Sequence, residues 1–444
     1  RGFGLTLLLH GLSSNHNNEP LDGRHARQLG DRGAGSIVVA PLGRGPDGFY
    51  QDMAEADVFE VWADVARRYP LDPAWVSSSG YSMGGIGTYR LLERWPDLFA
   101  RGAPVVGYEA DEQHLPSLRN IPIMAWNAGQ DELVNPALYE PTTQRLDELN
   151  LRFIADVFSP AGHITLGAND EFGPQADFLG EHRVDRDPAH VTYVVSPGRD
   201  SERAMAIADH AYWLSDLRVR AEGQGTIDAR SAAFGFGDPP VVEDPPTAGT
   251  LTGGERPLAY TRRSDSWGPA PAEPRANTLN LKLENVGGAT VTGNRARLTG
   301  DEPLRVKIES DGDGSLRLDV ALPEGATVER IEGPPVPGAS ASRRARAAAA
   351  APEVQLDRGG ASFRVAQGTR TYLISPPQTA AQVGERRPGG EGGRTPGGSG
   401  GGDDADTAGA GAGGLPFTGL AVAVMALLGV AFAVTGGWLR RLIR

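Results

Sequence analysis

The chain has 444 residues, a formal net charge of −13 at pH 7 and a pI near 5.2, enough length for two or three domains with sizeable buried cores. The acidic balance, with no basic stripe beyond short arginine clusters, excludes a nucleic-acid partner, because phosphate binding needs a concentrated basic surface. The absence of cysteine excludes disulfides, thiolate metal sites and cysteine nucleophiles together, and leaves the compartment open.

From residue 1 to about 180, short apolar runs alternate with helical stretches, the pattern of a parallel sheet built from βαβ units. The runs are "LTLLL" (5–9), "SIVVA" (36–40), "WVSSS" (75–79), "APVVG" (103–107), "IPIMAWN" (121–127) and "RFIADVF" (152–158). Between them, 52–69 sets Phe59, Trp62, Val65, Ala66 and Tyr69 on one helical face, and 86–95 reads as a second helix ended by Pro96. Arg1 is no start methionine and "GFGLTLLLHG" already reads as a core strand entering a functional loop, so further sequence is expected upstream. Residues 181–235, with "HVTYVV" and "GTIDARS", are expected as a β-rich antiparallel extension, and the proline-rich 236–275 as a linker. In 276–377 the alternating segments "NTLNLKLENV", "LRVKIES", "SLRLDVALP", "ASFRVA" and "TRTYLIS" predict a small β-sandwich-like module, interrupted by "RRARAAAAAP". Residues 378–414 are Gly-rich, a composition from which a disordered linker is expected. The end, 415–444, carries "LPFTG", an apolar run over 420–439 long enough to span a bilayer, and "RRLIR".

Two serines sit in the pattern G-x-S-x-G, Ser82 in "GYSMG" and Ser399 in "GGSGG". Ser82 alone follows a predicted strand and precedes a predicted helix, the context a nucleophile elbow needs. Its strained turn demands small neighbours, and Gly80, Gly84 and Gly85 meet that demand. The Met83 amide, just after the nucleophile, would donate to a developing oxyanion. A second donor is expected from "LLLHGLSS", where Gly11 follows His10: the Leu12 amide, with Ser13 as the alternative, and His10 shaping the loop. A serine needs a base, and the base an orienting carboxylate. Asp131 in "GQDELV" follows the strand "IPIMAWN", with Asp111 the weaker alternative, and His163 in "GHITL" follows the last strand of the set. The histidines at 25, 114, 182, 190 and 210 read as surface or structural; His16 in "SNHNN" could border the pocket. No metal-ligand spacing occurs, and no cofactor is expected: "DGDG" and "DDAD" read as a turn and a solvated linker.

Together, "LLLHGLSSNHNN", "GYSMGG", "GQDELV" and "GHITL" resemble the catalytic domain of the prolyl-oligopeptidase-like group of α/β-hydrolases over about residues 1–180. The resemblance implies an α/β-hydrolase fold, a mostly parallel sheet with helices on both faces, with Ser82 as nucleophile, Asp131 as acid and His163 as base. Secreted esterases share the same motifs, so peptide and ester substrates both stay open. The C-terminus resembles a sortase sorting signal, with Leu415, Pro416, Thr418 and Gly419 in "LPFTG" followed by the apolar run and arginines. That resemblance implies sortase as a partner, a membrane-held precursor and attachment to peptidoglycan. The expectation is a secreted, cell-wall-anchored serine hydrolase; the rivals are an inert hydrolase-fold adhesin or carbohydrate-binding protein, and an acyltransferase.

Overall fold

The computed structural model describes residues 2–18, 24–338 and 352–377. The expected Gly-rich segment 378–414 and the sorting signal with its apolar run at 415–444 lie outside the described residues. Among the described residues, no helix is long and apolar enough to cross a membrane.

All six apolar runs of the N-terminal part are strands: β1 (Phe3–Leu9), β2 (Ser36–Val39), β3 (Leu71–Tyr81), β4 (Arg101–Val105), β5 (Ile123–Ala128) and β6 (Phe153–Phe158). They pair in parallel in the order β6-β5-β4-β3-β1-β2. Both faces are apolar because both are covered. Leu5, Leu7, Leu9, Ile123 and Ala125 face α2 (Met53–Arg68) and α3 (Met83–Arg94), where Val58, Leu91, Leu92 and Trp95 complete one core. The intervening Leu8, Met124, Trp126 and Ala128 face α1 (Arg24–Gly30) and a later helix, Gly173–Leu179, with Leu29, Ala176 and Leu179. Between them lie α4 (Pro136–Glu148) and the short α5 (Thr165–Asn169), which makes Gly173–Leu179 α6. Parallel strands, helices on both faces and a serine at the turn from β3 into α3 fit an α/β-hydrolase.

The segment expected as a linker instead forms a hairpin, β10 (Val241–Leu251) and β11 (Leu258–Trp267), added antiparallel to the β6 edge of this sheet. The prolines that suggested a linker fit an outer strand: the β10 register breaks between Asp244 and Thr247, where Pro245 and Pro246 sit, and an edge tolerates their missing N–H groups.

The extension is β-rich as expected, but its strands β7 (His190–Val195), β8 (Leu214–Val219) and β9 (Gly225–Ser231) belong to the sandwich. One sandwich sheet runs β16-β19-β14-β12-β9-β7 and the other β17-β18-β15-β13-β8. The later strands are β12 (Thr278–Glu284), β13 (Val286–Thr292), β14 (Leu304–Ser310), β15 (Gly314–Asp319), β16 (Thr327–Glu332), β17 (Val354–Asp357), β18 (Gly360–Val365) and β19 (Gly368–Ser375). Alternate residues point inward, Leu279, Leu281 and Leu283 from β12 and Leu304, Val306 and Ile308 from β14, around the buried Trp213. The boundary expected at 235 therefore does not divide the molecule, since β9 and β12 are neighbours and the hairpin is an excursion between them.

Candidate active site

Ser82, Asp131 and His163 each sit in a connection that follows a strand of the parallel sheet, because the loops at that edge converge. Ser82 joins β3 to α3 with φ 54° and ψ −115°, a conformation costly for a residue with a Cβ. Two contacts hold it there. Its amide donates to Val105 O at 2.9 Å, and the chain around it closes too tightly for side chains. A Cβ on Gly84 would stand 1.9 Å from Leu9 O, and one on Gly80 would stand 2.4 Å from Gly84 O. Gly85 likewise packs against Val105 O, at 2.8 Å from where a Cβ would be.

His163, from the loop after β6, places Nε2 2.9 Å from Ser82 Oγ. Its Nδ1 lies 2.9 Å from both carboxylate oxygens of Asp131, in the loop after β5. An ionised carboxylate only accepts, so Nδ1 carries the proton and Nε2 is left to accept from the serine hydroxyl. Asp131 is fixed in turn: its Oδ1 accepts from the amides of Leu133 at 2.9 Å and Val134 at 2.6 Å. All three side chains are buried.

The other acid candidate, Asp111, lies elsewhere. It caps a 3-10 turn over Glu112–Leu118, accepting from the Gln113 amide at 3.1 Å and from Gln224 at 2.6 Å. On the oxyanion side, Met83 opens α3, so its amide has no carbonyl one turn back within the helix. Ser13 N is taken by Pro46 O at 2.8 Å, so of the two candidate donors Leu12 is the one whose amide has no backbone partner among the described residues. The loop is anchored by His10, buried, with ring nitrogens 2.9 Å from Gly11 O and 2.8 Å from Leu42 O. His16 is exposed.

Two residues that the sequence motifs do not single out complete the arrangement. The Tyr81 hydroxyl donates to His163 O at 2.6 Å and accepts from Gly167 N at 3.1 Å. Glu132 accepts from the His163 amide at 3.1 Å, a bond that keeps its carboxyl below the usual value. Both backbone groups of the histidine are thus held by the residue next to the serine and the residue next to the aspartate. That adjacency was the available signal.

The remaining histidines have other settings. Burial drives His25, stacked on Phe172 at 3.7 Å, down to about 3. His190 bridges Asp238 at 2.8 Å and Asp228 at 3.0 Å; burial opposes its charge, but these two carboxylates raise it above the ordinary histidine range. His210 lies against the Trp95 ring, 5.5 Å between centroids. His114 joins Glu93 and Glu109, the one group among the described residues whose ligand-type atoms lie within 4.8 Å of one another. A guanidinium already holds the place of a cation there, with Arg199 3.0 Å from Glu93, and Gln224 Nε2 sits 3.1 Å from His114 Nε2. Burial first, and then the Glu109 carboxylate, raise Glu93 well above its usual value.

No family model and no curated protein matches the chain. Among solved structures, it is similar to a thermostable esterase at 18% identity, covering 40% of this chain and 51% of that one with a TM-score of 0.30. It is also similar to a ferulic acid esterase, at 16% identity over 40% of this chain and 85% of that one, TM-score 0.33. An S-formylglutathione hydrolase from Staphylococcus aureus matches at 18% over 40% and 82%, TM-score 0.34. The chain spans about half the length of the thermostable esterase.

Proposed function

We propose that this chain is a serine hydrolase that cleaves an ester or peptide bond through an acyl-enzyme. The observation that carries the reading is the unbroken line from Asp131 through His163 to Ser82, with 2.9 Å at each step, on a strained strand-to-helix turn. In this reading Ser82 Oγ attacks the substrate carbonyl while its proton passes to His163 Nε2, and Asp131 stabilises the imidazolium formed. The carbonyl oxygen, now an anion, is met by the amides of Met83 and Leu12. Collapse of the tetrahedral intermediate expels the alcohol or amine, which takes the proton from Nε2. Water then attacks the acyl group by the same route in reverse and releases the acid. An alcohol in place of water would make the same acyl-enzyme an acyltransferase, and product analysis with an added acceptor separates the two.

The test is a fluorophosphonate probe on the full chain, followed by short acyl esters and aminoacyl amides side by side. Labelling confined to Ser82 and turnover of one substrate series support the reading and choose the bond. A chain that neither labels nor turns over either series is an inert hydrolase fold, and the adhesin or carbohydrate-binding rival takes its place.

Secretion, wall attachment and membership of the prolyl-oligopeptidase-like group are proposals of the same standing. They are supported by the motifs around Ser82, Asp131 and His163 and by Leu415, Pro416, Thr418 and Gly419 ahead of the apolar run. Sortase would cut between Thr418 and Gly419 and join Thr418 to peptidoglycan, freeing the enzyme from its membrane segment. Protein that stays in the membrane fraction with its terminal arginines intact, in cells with sortase, would refute the attachment.

A further inference from the structure

Ser82 lies at the C-terminal ends of the parallel strands, and the opposite edge of the same sheet carries a cavity. Arg101 opens β4, Pro122 stands just before β5 and Arg152 just before β6. These residues form one wall of a cleft of about 350 Å³, and the sandwich supplies the facing wall through His190, Arg230, Phe234 and Arg297. The volume falls at the small end of the range for small-molecule sites.

The cleft is rich in arginine, and only part of that charge is matched. Arg119 pairs with Asp238 at 2.7 Å, Arg183 with Asp72 at 2.8 Å and Arg230 with Glu273 at 2.7 Å. Arg101, Arg152 and Arg297 form no ion pair among the described residues. Arg101 donates to Phe178 O at 2.6 Å and lies on the Phe178 ring, Arg152 lies 4.3 Å over Trp267, and Arg297 lies 4.2 Å over Phe234. Arg152 Nε is shut off from solvent with no acceptor among the described residues, a costly state for a charged donor. Asp185 acts on it through space without closing a pair.

The electrostatics record the same deficit. Burial, and then the neighbouring Arg152, bring Arg101 down to about 9. Burial brings Arg152 to about 10, with Arg119 adding to it against the opposite pull of Tyr212. Burial together with Arg101, Arg152 and Arg32 brings His182 to about 4. Cations held together against their own repulsion, with donors unused, are complementary to an oxyanion that would accept from several of them.

We propose that this cleft is a binding site for a small organic oxyanion, a molecule presenting a phosphoryl or carboxylate group to Arg101, Arg152 and Arg297 and an apolar part to Phe234 and Trp267. The site is separate from the catalytic serine, being at the other end of the strands, and it joins the catalytic sheet to the sandwich.

Isothermal titration of the full chain with inorganic pyrophosphate and, separately, with citrate tests this, at ionic strength matched with sodium chloride. Saturable one-to-one binding of at least one probe is expected, and which probe binds identifies the group recognised. Arg152→Gln should weaken that binding at least tenfold. Arg297→Gln, at an exposed position, should weaken it as well and serves if the Arg152 variant does not fold. Protein blocked at Ser82 by a fluorophosphonate should bind as the free protein does. The proposal is overturned if neither probe saturates, if both arginine variants bind undiminished, or if the Ser82 block abolishes binding, which would move the anion to the catalytic pocket.

Discussion

The parallel sheet and the sandwich bury apolar strands by different chain paths. In the sheet, β1 to β6 are supplied between residues 3 and 158, each run separated from the next by a helix or turn, and every one of the six stands beside a strand adjacent to it in sequence. In the sandwich, β7 pairs with β9 and β9 with β12, which arrives only after the chain has left to build β10 and β11 on the other unit. The contrast teaches where each region keeps its precision. The sheet concentrates strain and hydrogen bonding at one edge to hold three side chains, while the sandwich and its loops hold the helices of the sheet from outside.

The largest effect expected from this contrast is on turnover alone. Ser82→Ala and His163→Ala should each lower kcat about 10⁴ to 10⁶ fold, since the members act as a unit, with unchanged thermal unfolding. Residual turnover within a hundredfold of the parent, in either variant, would mean that chemistry is done elsewhere.

Next is the seam between the two regions. Glu55 on α2 is fully buried, 2.7 Å from both Arg94 and Trp95 Nε1 and 3.3 Å from Arg90, and Arg94 continues to Asp200 at 3.0 Å in the chain leading toward the sandwich. Glu55→Ala leaves two buried guanidiniums short of a partner and should cost about 3–5 kcal/mol in denaturant unfolding. A loss below 1 kcal/mol would show the seam to be held by apolar packing instead.

A smaller change should touch catalysis without touching stability. Tyr81→Phe removes the hydrogen bond to His163 O, worth about 0.5–1.5 kcal/mol, so kcat should fall up to about tenfold with KM unchanged. If KM rises and kcat holds, Tyr81 contacts substrate and does not position the base.

The smallest is a pH effect confined to the sandwich side. Because His190 is raised in the folded chain, its contribution is fully present below the unfolded value, about 6.5, and is lost as pH rises through the folded one. Asp228 and Asp238, both depressed by His190 against the effect of burial, contribute above their unfolded value and lose it only as pH falls through the folded one. His25, His114 and His182, all depressed by burial, act in the opposite sense near pH 6.5, so the signal is a difference: the stability that the parent holds over His190→Gln should shrink as pH rises from 6 to 9. An unchanged slope in that variant would assign the pH dependence to another group.

Much of the first region was legible because its chemistry is local. Runs such as "LTLLL" and "IPIMAWN" announce strands buried on both faces, and Gly80, Gly84 and Gly85 around Ser82 mark a turn without room for side chains. The placement of Asp131 over Asp111 followed from the strand that each one trails. The hairpin was hidden by composition, since Pro245 and Pro246 read as linker until the edge position makes them acceptable. β13 and β16 were missed for a related reason: "VGGATVT" carries two glycines, and "TVERIE" on the β16 edge is mostly exposed, so neither shows an apolar run. The arginine cleft has no linear signature at all, because its members are brought together by strands remote in sequence.

The excursion of β10 and β11 also sets a schedule for the growing chain. When β6 leaves the ribosome its outer edge is apolar, "FIADVF", and its partner β11 is still about a hundred residues from being made. An unpaired apolar edge of that kind recruits other chains. Asp156 interrupts it, a buried carboxylate in the middle of the strand that an intruding strand could not easily accommodate. When β11 arrives it carries the matching group: Arg262 closes on Asp156 with bonds of 2.7 and 2.8 Å, while Trp126 Nε1 donates at 3.0 Å. The same residue that guards the edge against strangers during synthesis thus becomes the lock that accepts the chain's own hairpin.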